Sequence, residues 1–150
     1  MSVPNLRILI VDDSATTLLI LNRLLAPYGK CDTAGDGRQA LQMIEQSLWE
    51  RRPYDVVFLD ILMPVMDGHE AARRIQAMQD AYELPDPLRA KLVVVSARGD
   101  VESRMEAHFE GGADIFIPKP VTDEIVREVF ASFGFIANPL DFIDLADEKP

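Results

Sequence analysis

The chain is predicted to be an α/β protein: one domain with a single five-stranded parallel sheet and helices on both faces. Three observations carry this. Five short apolar runs alternate with segments of helical period, as in repeated βα units. Several runs are continuously apolar, which suits strands buried on both faces. The 150 residues, 48% apolar and 27% charged, are enough for one sizeable core and argue against disorder.

The first strand candidate is Leu6 to Val11, which ends in Asp12 and Asp13. Ser14 is a suitable N-cap for a helix carrying Leu18, Leu19, Leu21, Leu24 and Leu25, closed by Pro27 and Gly29. Lys30 to Ala34 is a short strand, Gly35-Asp36-Gly37 a turn, and the next helix carries Ala40, Leu41, Ile44 and Leu48 to about Trp49. Val56 to Leu59 is the central strand and ends in Asp60. Pro64 stops strand bonding because it lacks an N–H, and Asp67 opens a helix to about Asp80 with Ala71, Ala72, Ile75 and Met78 inward. Tyr82 to Ala90 holds two prolines and reads as a loop. Lys91 to Val95 is the fourth strand, ending in Ser96. A weakly amphipathic fourth helix spans 100–110, stopped by Gly111-Gly112. Ala113 to Pro118 is the fifth strand, followed by Lys119-Pro120. The last helix runs from Val121 to Phe133 with Ile125, Val126, Val129, Phe130 and Phe133 inward. Residues 1–133 thus form the folded domain, and 134–150 an acidic tail or linker, in which a packed helix over 139–146 is one option.

A net charge of −10 disfavours phosphate-backbone binding, so no direct nucleic-acid contact is expected. One cysteine, Cys31, excludes an intramolecular disulfide and fits a reducing compartment; its place in a strand suggests a buried thiol. No apolar run reaches membrane-spanning length and no signal-peptide pattern opens the chain, so the expectation is a cytoplasmic protein without membrane contact.

In a parallel sheet the strand ends share one edge, where ligands of open α/β sheets bind. That edge collects Asp12, Asp13, Asp60, Ser96 and Lys119. Two carboxylates about 4 Å apart repel by roughly 4 kcal/mol at an effective dielectric of 20, so the cluster calls for protons or a cation. A hard divalent ion, Mg²⁺ above all, suits oxygen ligands and accepts phosphate oxygens. Lys119 is a mobile charge for a phosphoryl group and Ser96 a hydrogen-bond donor to one. The constellation reads as metal-assisted phosphoryl transfer onto an aspartate.

Five segments then carry a family resemblance: ILIVDDS at 8–14, DGRQAL at 36–41, DVVFLDILMPVMDG at 55–68, VVVSA at 93–97 and GGADIFIPKP at 111–120. In this order and spacing they resemble the receiver domain of two-component response regulators and anchor residues 5–133. The resemblance implies the flavodoxin-like (CheY-like) doubly wound sheet of order 2-1-3-4-5, an order for which the chemotaxis receiver is a standard example. It implies that Asp60 is phosphorylated, that Asp13 binds Mg²⁺ directly and Asp12 largely through water, and that the Leu62 carbonyl completes the protein ligands. It casts Ser96 as the switch hydroxyl, Lys119 as the phosphoryl contact and Phe116 as the aromatic that swings inward. It implies a cis Lys119–Pro120 bond. Phosphorylation would alter the face made by the fourth helix, fifth strand and fifth helix for a downstream protein effector. The phosphodonor would be a histidine kinase or histidine phosphotransfer protein. Such a domain is not an enzyme in the ordinary sense, since it catalyses only its own phosphorylation and dephosphorylation.

Three other readings compete: a receiver segment of a larger hybrid kinase or multidomain regulator, a degenerate receiver, and a haloacid-dehalogenase-like phosphatase. All five site residues are present, against the degenerate form. The first strand ends in Asp-Asp-Ser, with no second acid two positions on, against the phosphatase. Other signals are discounted. Gly35 to Ala40 matches a dinucleotide fingerprint but follows the second strand, and Asp36 would meet the pyrophosphate. His69-Glu70 lacks the second histidine of a zinc motif, because residue 73 is Arg. Met63, Met66 and Met78 suit packing, and His108 a surface position.

Overall fold

The computed structural model describes residues 5–63, 65–97 and 112–136. Five parallel strands, β1 (Leu6–Val11), β2 (Gly29–Ala34), β3 (Val56–Asp60), β4 (Lys91–Ala97) and β5 (Ile115–Lys119), form one sheet in the order β2-β1-β3-β4-β5. Helices α1 (Ala15–Leu25), α2 (Gly37–Trp49) and α3 (Gly68–Ala81) and a C-terminal helix (Asp123–Ser132) connect or follow them. The expected helix over 100–110 and the segment 139–146 lie outside the described residues.

The alternation of strand side chains divides the core into two layers. Leu9, Val11, Val57, Leu59 and Leu92 pack with Ala40, Ile44 and Leu48 of α2 and Ala71, Ala72 and Ile75 of α3. Ile8, Ile10, Val56, Phe58, Val93 and Val95 pack with Leu21 and Leu25 of α1 and Val126, Val129 and Phe130 of the C-terminal helix. Every residue of β3 is buried, as a central strand covered on both faces requires. Each fully buried Leu, Ile or Phe contributes roughly 1.5–3 kcal/mol relative to exposure, so these layers dominate the stability.

Four side-chain caps start the four helices. Ser14 Oγ accepts from the Thr17 N–H at 3.2 Å, and Asp36 Oδ1 from the Gln39 N–H at 2.8 Å. Asp67 Oδ1 accepts from the Glu70 N–H at 2.9 Å, and Thr122 Oγ1 from the Ile125 N–H at 3.2 Å. Each cap is worth about 1 kcal/mol and, more to the point, fixes where a helix leaves the site edge of the sheet.

Some boundaries differ from those read in the sequence. β4 continues past Val95 through Ala97, because Ser96 and Ala97 pair with Pro118 and Lys119 of β5. β5 starts at Ile115 rather than Ala113, since the Asp114 carboxylate accepts the Leu92 N–H at 2.7 Å while the Asp114 N–H donates to the Leu92 carbonyl at 2.8 Å. A side chain there replaces a ladder bond. The last helix is shorter than expected at both ends, with Thr122 as cap and Phe133 as its final turn. The 82–90 connection holds a short 3₁₀ turn, Asp86–Leu88. The Lys119–Pro120 bond is cis, as expected.

Candidate functional site

Four of the strand-end residues meet. Asp12 follows β1 and is 1% exposed, its Oδ1 accepting the Ser14 N–H at 2.9 Å. Asp13 beside it faces solvent. Asp60, the last residue of β3, is buried. Carboxylate oxygens of Asp12, Asp13 and Asp60 all lie within 4.8 Å of one another. Lys119, the last residue of β5, sends its Nζ to 3.1 Å from Asp60 Oδ1 and 3.5 Å from Asp12 Oδ2.

Among the described residues, three carboxylates therefore face one ammonium. Burial, followed by the charges of Asp12 and Asp13, holds the Asp60 carboxyl above its ordinary range despite the opposing pull of Lys119. Burial works to lower Lys119, but its bond to Asp60 and the charges of Asp60 and Asp12 outweigh that and raise it. Burial therefore leads at Asp60, with the neighbouring carboxylates adding to it, whereas at Lys119 the carboxylates overcome burial. The donor set is all oxygen, partly buried and partly open on the Asp13 side, which fits a hard divalent ion that keeps some of its waters.

Ser96 is buried within β4, not beyond its end, and its hydroxyl donates to the Ala97 carbonyl at a long 3.4 Å. Phe116 on β5 is half-buried and packs on the small cluster of Ile61 and Val94. Leu62 turns its side chain outward, 75% exposed, so only its backbone is suited to the ligand role expected of it.

Two supports of the site were not read from the sequence. Gly68 starts α3 against the end of β3: a Cβ there would meet the Asp60 carbonyl oxygen at 2.5 Å, and the Gly68 N–H donates to the Ile61 carbonyl at 2.9 Å. The Asp67-Gly68 pair was the available signal, but it announced only the start of a helix. Val65 has φ of 72°, a left-handed conformation that a β-branched residue adopts at a cost of roughly 1–2 kcal/mol. An apolar cleft of about 330 Å³, walled by Thr17, Ile20, Val95 and Pro120, opens beside Lys119.

The discounted signals sit where packing would put them. Asp36 caps α2, Met63 and Met66 are buried in the α2–α3 layer, and Met78 lies against it. His69 is 4% exposed at the start of α3, and His108 lies outside the described residues. Cys31 is half-buried, and burial, then the Asp32 charge, pushes its thiol up to about 11. No helix among the described residues is long and apolar enough to cross a membrane.

The profile of the response regulator receiver domain matches residues 8–131. The chain is 33% identical over 129 residues to the hybrid signal transduction histidine kinase L of Dictyostelium discoideum, a match covering 85% of this chain but 7% of that protein. It is 33% identical over 131 residues to the two-component response regulator ORR41 of Oryza sativa subsp. japonica, covering 85% of this chain and 94% of the regulator. Among solved structures, the receiver domain of the Arabidopsis thaliana histidine kinase CKI1, complexed with Mg²⁺ and BeF₃⁻, superposes with a TM-score of 0.70 at 28% identity, over 84% of this chain and 90% of that one.

Proposed function

Because the chain belongs to the response regulator receiver family, matched over residues 8–131, we propose that Asp60 is its phosphoacceptor, served by Asp12, Asp13, Ser96 and Lys119. A receiver is a phosphoacceptor domain of two-component signalling, and that is the function of this chain. The observation that carries the residue assignment is the three-carboxylate cluster with Lys119 Nζ 3.1 Å from Asp60.

In this reading Asp12, Asp13, Asp60 and the Leu62 carbonyl would hold Mg²⁺, which would supply positive charge to offset that of the carboxylates and the incoming phosphoryl group. A carboxylate oxygen of Asp60 attacks the phosphorus of a phosphohistidine. The new O–P bond forms as the N–P bond breaks, the electron pair stays on the imidazole nitrogen, and that nitrogen takes up a proton. Lys119 exchanges its contact with Asp60 for a phosphoryl oxygen. The Ser96 hydroxyl leaves the Ala97 carbonyl for the phosphoryl group, and Phe116 moves into the space it vacates. The added dianionic charge thereby biases the face beside β5 toward a protein effector.

The phosphodonor is a histidine kinase or histidine phosphotransfer protein. Support comes from the kinase and regulator relatives, and from the CKI1 receiver with Mg²⁺ and BeF₃⁻. The domain acts on itself, and its charge of −10 disfavours contact with a nucleic-acid backbone. Residues 1–133 make up the receiver and 134–150 a tail or linker. The 7% coverage of the Dictyostelium kinase also favours a second reading, in which this receiver serves within a larger hybrid kinase.

Intact mass after incubation with Mg²⁺ and acetyl phosphate tests the assignment. The wild type should gain one phosphoryl group, and neither Asp60→Asn nor the wild type in EDTA should gain any. Phosphorylation of Asp60→Asn would overturn it. Rapid consumption of acetyl phosphate without an adduct would point to a phosphatase.

A further inference from the structure

Helices α2 and α3 start at the edge of the sheet that carries Asp60 and end, side by side, at the opposite edge. There the only tryptophan of the chain, Trp49, is 76% exposed on the last residue of α2. Tyr82, the C-cap of α3, is 39% exposed. A large aromatic surface left in water is costly, and Trp and Tyr are the residues most enriched where proteins meet partners.

The two rings line one cleft of about 440 Å³, whose remaining walls are Gln42, Glu45 and Gln46 of α2. Gln46 Nε2 donates to Glu50 Oε2 at 2.8 Å, which leaves its amide oxygen as an acceptor and Glu45 as the one charged group in the lining among the described residues.

The electrostatics of this end favour a cation. Two helix C-termini converge on it, each with the negative end of its dipole, and neither helix carries a basic residue in its last turn. Asp80, in the last turn of α3, is already paired with Arg89 at 2.6 Å, and Arg51 and Arg52, which follow α2, do not line the cleft. Two aromatic faces, one carboxylate and two amides form a receptor for a flat, weakly hydrated cation. A guanidinium fits that description better than an ammonium, because it stacks on rings and forks to a carboxylate.

We propose that this cleft is a second docking site, at the end of the molecule opposite Asp60, which takes an arginine side chain from a basic segment of a protein partner. The arginine stacks between Trp49 and Tyr82 with Glu45 as its counter-ion. The site is independent of the phosphoryl chemistry, so its failure would leave that reading untouched.

Trp49 is its own reporter. The full chain, at ~0.15 M salt to screen diffuse attraction to an acidic protein, is titrated with a blocked Gly-Arg-Gly-Arg-Gly peptide while Trp49 emission is followed. Quenching should saturate, and the matching lysine peptide should bind about threefold or more weakly. Tyr82→Ala should weaken binding about tenfold and Tyr82→Phe should preserve it. Glu45→Gln should weaken it several-fold, whereas Glu124→Gln, which removes the same charge from the C-terminal helix, should leave it within about twofold. Quenching that never saturates, equal binding of the lysine peptide, an unaffected Tyr82→Ala protein, or equal losses for Glu45→Gln and Glu124→Gln would each overturn the proposal.

Discussion

At Asp60 the fold holds a buried carboxylate beside two others, an arrangement that costs stability. Its carboxyl is raised by burial and by Asp12 and Asp13. Folding thus favours its protonated form. Its favourable contribution is present at low pH and is lost as pH rises through the raised value, so at neutral pH the ionised group weighs against the metal-free fold. Asp60→Asn should therefore raise Tm in EDTA by about 3 °C, the shift that ~1 kcal/mol gives in a domain of this size. Added Mg²⁺ should stabilise the wild type more than the variant and narrow the gap. A lower Tm for the variant in EDTA would contradict this charge balance. Cys31 offers a second residue-level check. Its thiol is raised from 9.0 to about 11 by burial and then Asp32, so folding favours the thiol over the thiolate. That preference is intact below pH 9 and fades as pH climbs toward about 11. Iodoacetamide at pH 8 should alkylate it about 100-fold more slowly than free cysteine, and a comparable rate would show that β2 leaves the thiol open.

Elements act on the site mainly by where they begin. The start of α3 is pressed against the end of β3 so closely that no Cβ fits at Gly68, with the Asp60 carbonyl oxygen only 2.5 Å from where one would stand. Gly68→Ala should push the first turn of α3 away and cost about 2 kcal/mol in urea denaturation. It should also slow phosphoryl uptake from acetyl phosphate, because Asp60 moves with that backbone. Unchanged stability and uptake would mean that the loop absorbs the methyl group. Elements also explain what could be read from the chain. Strand and helix identities were legible because β3 and β4 are continuous apolar runs and the helices keep their period around polar caps. The end of β4 was not, since Ser96 and Ala97 are strand only by pairing with Pro118 and Lys119, a register that no local pattern encodes. The start of β5 was hidden likewise, because Asp114 reads as a turn residue while its carboxylate stands in for a ladder bond. The left-handed Val65 runs against its own preference, so propensity could not announce it.

Across the whole molecule, parallel topology turns one-dimensional punctuation into a site. Asp12, Asp60 and Lys119 are separated by tens of residues in the chain, yet each stands at the end of a strand and therefore at one edge. That edge was legible because an acid closing an apolar run is easy to see. The opposite edge was not, because Trp49 read as a helix end and Tyr82 as the start of a loop, and they acquire meaning only when α2 and α3 lie side by side. On the proposal above, the Asp60 side chain, and not its neighbours, takes the phosphoryl group. The most direct test phosphorylates the full chain with acetyl phosphate and Mg²⁺, reduces the acyl phosphate with borohydride, and locates the product by peptide mass. Homoserine in place of Asp60 alone, formed only with Mg²⁺, is the expected result. Homoserine at Asp12 or Asp13, or none at any of the three, would contradict it.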